Sequence, residues 1–273
     1  MSNKFTFNAS AIGLGGVITE NGCTTVIPSL ASVALAPTGG EGSSRVDNYC
    51  SNGISFTRAE TRVIGYETSN DVFTTTTDIL VTNLNIRERL KIALMQATIT
   101  STRFIGHNDS AFNLHAIYRG IQVDQEEVEA TLDVDLCSGP CGKASTFDDF
   151  IAKMEGHLPG VSSDKFQEAL KDQVPMPGSL VTSTQVRRYD QVISRPGNML
   201  PVEGLGEAFL GELIVKRSRR RVNLLRFDFG AASNNAATAG AAPGLMALAV
   251  GDLRGTLTVG SGDGNGEPVW PHQ

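Results

Sequence analysis

ISFTRAETRVIGYETSNDVFTTTTDILVT, residues 54–82, reads as two long strands folded back on each other, and the fold class follows from it. In its second half Phe73, Thr75, Thr77, Ile79 and Val81 share one face, and Thr74, Thr76, Asp78, Leu80 and Thr82 share the other. That spacing has the period of a strand. Four consecutive threonines disfavour a helix, because branching at Cβ restricts χ1 against the preceding turn, and the same branching suits a pleated surface. In the first half Thr57, Ala59, Thr61 and Val63 alternate with Phe56, Arg58, Glu60, Arg62 and Ile64. The charged run Arg58, Glu60 and Arg62 reads as a solvated face with cross-strand ion pairs rather than as a ligand site. Thr68 to Asp71 carry the chemistry of a reversing loop, with the tip at Asn70 and Asp71.

Upstream, Phe5, Phe7 and Ala9 alternate with polar residues until Gly13, Gly15 and Gly16, which predicts a short strand and then a glycine bend. These glycines make no dinucleotide loop, since neither a following helix nor a later acid accompanies them. Val26 to Ala36 is a strand candidate opened by Pro28. PTGGEGSS, residues 37–44, reads as a loop, and it lacks the lysine of a phosphate cradle.

Downstream, residues 83–97 fit either a helix through Ile86, Leu90, Ala93, Leu94 and Ala97 or a strand, and the preferred reading is a turn near residues 83–85 and then a long strand through Thr102. Phe112, Leu114, Ala116 and Tyr118 then mark a strand face broken by Gly120, and a hairpin with an acidic tip at 124–127 follows. Thr146 with Asp149 makes a capping pair ahead of Phe147, Phe150, Ile151 and Met154, and a second helical pattern runs from Asp164 to Val174 before Pro175. Together they predict a two-helix insert over about 145–174. Ser179 to Ile193 reads as one strand, and Glu207 to Gly230 as a hairpin.

Three groups of residues are candidates for chemistry. Lys216, Arg217, Arg219, Arg220 and Arg221 place five cations in six residues at a hairpin tip, where guanidinium groups could bind an anion or nucleic acid. His107 or His115 is the candidate general base in a hydrolase cleft between the sheet and the helical insert, activated by Asp109 or a nearby acid. Cys137 and Cys141 are separated by three residues, which fits neither a redox pair nor a complete zinc site, so no metal is expected without further ligands.

The chain has 273 residues with a net charge of −6, a balance that argues against bulk nucleic-acid binding. No apolar run approaches the roughly 20 residues needed to cross a bilayer, so no membrane partner is expected. The N-terminal residues lack the charged and apolar regions of a secretory signal. Four cysteines are too few to staple a scaffold of this length, and a cytoplasmic location with reduced thiols is the expectation. The predicted architecture is mainly β, an antiparallel sandwich or strongly curved sheet of about eight to ten strands with the small two-helix insert. It occupies residues 1–230, and residues 231–273, rich in Ala and Gly, read as a flexible tail. Without a nucleophile elbow or a Walker motif, the leading expectation is a non-catalytic binding or assembly protein. A homo-oligomer or a complex with a protein partner is expected, and no cofactor. The hydrolase and the anion contact are the alternatives.

Overall fold

The computed structural model describes residues 5–106, 110–133, 176–188, 191–216, 219–230 and 253–268. Nearly all of these lie in strands, every pairing is antiparallel, and no helix occurs among them. The opening stretch forms β4 (Ile54–Ser69) and β5 (Val72–Ile86), reversing at Asn70 and Asp71 as expected. Around them an eight-stranded sheet runs in the order β11-β10-β8-β7-β6-β5-β4-β3. Its other members are β3 (Gly40–Ser51), β6 (Leu90–Phe104), β7 (Ser110–Val123), β8 (Glu126–Leu132), β10 (Val181–Arg188) and β11 (Gln191–Pro196).

The second, seven-stranded sheet runs β12-β13-β14-β15-β1-β2. It comprises β1 (Phe5–Glu20), β2 (Cys23–Ala34), β12 (Met199–Val202), β13 (Gly206–Lys216), β14 (Arg219–Phe229) and β15 (Arg254–Pro268), with β9 (Met176–Ser179) also beside β13. The inner faces of the two sheets meet in one apolar core that includes Phe7, Ile79, Val81, Ile99 and Phe227. The chain passes between sheets at both sides of the sandwich. Phe7 donates to the Pro37 carbonyl at 3.0 Å on one side, and Leu180 donates to the Gly211 carbonyl at 2.8 Å on the other. Strand pairing does not continue around either side, so the sheets stay open.

The β-rich sandwich agrees with the sequence reading, but several details differ. Among the described residues there are fifteen strands rather than eight to ten. The helical insert expected at 145–174 lies outside the described residues. Gly13, Gly15 and Gly16 do not bend the chain, since β1 continues through them. They allow close approach instead: a Cβ on Gly16 would stand 2.4 Å from the Thr256 carbonyl oxygen, and one on Gly13 would stand 2.7 Å from Ala59. Residues 40–44 of the expected loop begin β3. The turn expected near 83–85 lies at Arg87 and Glu88, both with positive φ. Residues 254–268 of the expected tail form β15, which pairs with β1 and β14. Gly262 and Gly264 face inward, and a Cβ on Gly262 would come within 2.6 Å of Ile79. Strand composition is normally poor in glycine, but here its absence of side chains lets β15 lie against β5.

Each sheet carries a transverse row of left-handed residues. In the eight-stranded sheet, Asn48, Asn83 and Gly120 have φ of 56°, 52° and 61°. The flanking registers align them with Thr57 and Ala93 at one level across β3 to β7. In the seven-stranded sheet Ala31, Gly260 and Gly211 have φ of 47°, 62° and 62°, and align with Gly13 and Leu224. Every second strand therefore flips, and the inward phase slips by one residue along the whole row. Buried neighbours become three apart instead of two, as with Val81 and Leu84, Ile92 and Met95, and Phe56 and Ala59. For this reason Phe56 is buried and Thr57 exposed, the reverse of the simple alternation. Such flips turn backbone groups out of the ladder, where burial demands other partners. Tyr118 donates its hydroxyl to the Leu224 carbonyl at 2.7 Å, and Thr61 donates to the Ala31 carbonyl at 2.8 Å.

Candidate functional site

β10 and β11 form a hairpin in which Arg188 faces Gln191 and Ser183 faces Pro196. β10 is held from its other side by β8, with an ion pair of 2.8 Å between Arg187 and Glu129. Both side chains are well exposed, so this pair contributes little to stability. β11 ends the strand order of its sheet, and all six of its residues are exposed. Val192 is 61% and Ile193 38% accessible. Natural edge strands are usually guarded against pairing by proline, charge, irregularity or shortness. The other edges carry such guards: β2 has Pro28 and the left-handed Ala31, and β3 has Glu41, Arg45, Asp47 and the left-handed Asn48. β9 and β12 are four residues long and contain Pro177 and Pro201. β11 has one charge, Arg195, and its only proline is its last residue.

The basic hairpin does not present five cations to one ligand. Strand alternation places Arg220 on the inner face with Val222, where it is 2% exposed and its guanidinium carbon is 4.7 Å from the centroid of Phe112. Arg221 faces outward, with a nitrogen 3.8 Å from the carboxylate of Asp263. That carboxylate, only 1% exposed, also accepts from the Ser10 backbone N–H and hydroxyl at 2.7 and 2.9 Å. The side chains of Lys216, Arg217 and Arg219 lie outside the described residues. So do His107, Asp109, Cys137 and Cys141, while His115 is exposed on β7 opposite Thr98. Cys23 and Cys50 are free, exposed thiols. Among the described residues no three His, Cys, Asp or Glu side chains are placed to share a metal ion, and no helix is long and apolar enough to cross a membrane.

A family described as a domain of unknown function (DUF8256) matches residues 5–176. The chain belongs to the DUF8256 family. No curated protein matches it, and no solved structure does. The DUF8256 match takes in β1 to β8, whereas β10 to β15 lie beyond it. The unguarded edge is thus outside the matched region.

Two features were missed from the sequence. Ser179 to Ile193 reads as one strand, but the chain changes sheet at Leu180, and β11 is a separate edge. The signal for an edge was Val192 and Ile193 in a short run ended by Pro196. On the outer face of the seven-stranded sheet, Arg226 binds Glu212 through two nitrogens at 2.8 to 3.0 Å. It also pairs with Asp228 and lies 3.9 Å above Phe209. Its signal was the two-residue spacing of Arg226 and Asp228. The arginine is engaged on three sides, which makes this group a brace between β13 and β14 rather than a ligand site.

Proposed function

We propose that this protein is a non-catalytic assembly protein whose two-sheet scaffold presents β11 to a second copy of the chain. The observation that carries the reading is the contrast between β11 and the guarded edges around it. An antiparallel edge needs from its neighbour the same donors and acceptors that it offers, so a copy of itself is a ready complement. With Arg195 as its single charge, the edge carries little like-charge repulsion against such a copy. A short strand contact is small for a protein interface, so the association should be weak and concentration-dependent.

Light scattering after size exclusion tests this. The apparent mass should rise above the 29.0 kDa of one chain as concentration increases. Val192→Lys and Ile193→Lys, both at exposed positions, should hold it at that value. High salt should change the association little. A mass that stays at one chain for the unaltered protein at every concentration sinks the proposal. Variants that associate as well as the parent would move the interface away from β11.

A further inference from the structure

We infer that the β11 contact is a closed two-fold pairing, with Ile193 of the two copies facing each other across the axis; this rests on the assembly reading above. The argument begins with which backbone groups are free. Gly197 donates its N–H to the Thr182 carbonyl at 2.7 Å, continuing the register in which Val186 faces Ile193 and Thr184 faces Arg195. Hydrogen-bonded pairs alternate along an antiparallel ladder. Gln191, Ile193 and Arg195 therefore turn their N–H and C=O groups toward β10, while Val192, Ser194 and Pro196 turn theirs to the open side. Proline has no N–H. Val192 and Ser194 are left as the residues able to complete a bonded pair with a neighbour.

Side-chain direction and the partners available fix the register. Thr184 is buried and Val186 packs against the core, so their partners Arg195 and Ile193 share the inner face, and Val192 and Ser194 share the outer one. A two-fold axis normal to the sheet keeps inner face beside inner face when it passes any residue of β11. An axis at Val192 would leave Ser194 without a partner from β11, and one at Ser194 would set Val192 against a proline. An axis at Arg195 would set two guanidinium groups opposite each other and Ser194 against a proline. An axis at Gln191 would leave Ser194 without a partner from β11. The axis at Ile193 pairs Val192 with Ser194 on both sides and places Gln191 opposite Arg195. It also brings the two Ile193 side chains together at a non-hydrogen-bonded position, where Cα atoms lie about 4.5 Å apart. The pairing uses the open side of both β11 strands, and β3 at the far edge is charged and irregular. Growth therefore stops at two chains.

Oxidative trapping in the full chain tests this register. At a concentration where the unaltered protein associates, Ile193→Cys should form a 193-to-193 disulfide roughly tenfold faster than Val192→Cys or Ser194→Cys forms its own, because only the first brings its Cα atoms within disulfide reach of their copies. Peptide masses distinguish that link from the native thiols. Gln191→Cys mixed with Arg195→Cys should trap the mixed dimer, and neither alone should trap. Preferential trapping at 192 or 194, or masses beyond two chains, would overturn the two-fold register while leaving edge assembly in place. An unaltered chain that never associates removes both.

Discussion

Tyr118 spans the space between the two sheets to serve a carbonyl that the left-handed row has turned out of its ladder. Burial pushes its phenol far up from the ordinary tyrosine value, so it is a fixed donor across the accessible pH range. Tyr118→Phe keeps the ring and leaves the Leu224 carbonyl without that donor. The expected cost is about 1–3 kcal/mol, read as a lower denaturant midpoint with an unchanged slope. At the other end of the fold, Arg87 donates to Glu20 at 3.0 and 2.8 Å, tying the β5–β6 turn to the β1–β2 turn. The side-chain hydrogen bond and the charge of Arg87 hold the Glu20 carboxyl below its ordinary value of 4.5. On acidification the unfolded chain takes up this proton first. The contribution is therefore present above the ordinary value and is lost as pH falls through the depressed native one. Glu20→Gln should flatten this acid limb when melting temperature is followed from neutral pH downward. An unaltered limb would mean that the clasp contributes nothing.

At the scale of elements, the row of left-handed residues makes a prediction about Asn83. Asparagine tolerates this conformation and glycine adopts it freely, whereas a β-branched side chain is strained there. Asn83→Gly should leave chemical stability within a few tenths of a kcal/mol, and Asn83→Val should cost about 1–3 kcal/mol. Equal effects would show that the flip is not fixed by this residue. Strand type was legible where period and turn chemistry coincided, as in the hairpin of β4 and β5. Asn21–Gly22 and Asn52–Gly53 went unread although Asn-Gly is a hairpin-turn signal, and both residues of each pair have positive φ at a two-residue reversal. β15 was read as tail because Gly260, Gly262 and Gly264 were weighed as composition. Their alternation with Ser261, Asp263 and Asn265 was the strand signal. Arg220 was counted with its neighbours as a cationic tip, although alternation sends adjacent side chains to opposite faces.

For the molecule as a whole, the sequence carried the class of fold but not the allocation of strands to sheets. Local patterns specify a hairpin, and nothing local says that β9 joins one sheet while β10, one residue later, joins the other. The candidate edge was hidden for the same reason: exposure of β11 depends on where every other strand has gone. The same long-range wiring makes β1 and β15 neighbours, with Ser10 bonded to Asp263 across 253 positions of sequence. A ribosome adding about 5–20 residues per second takes roughly 13 to 50 seconds to cover that interval. Through all of it the first hairpin made has no strand to lie beside on its β1 side. Completion of the seven-stranded sheet therefore waits until β15 has been made, and until then the open side of β1 is where the nascent chain needs chaperone protection.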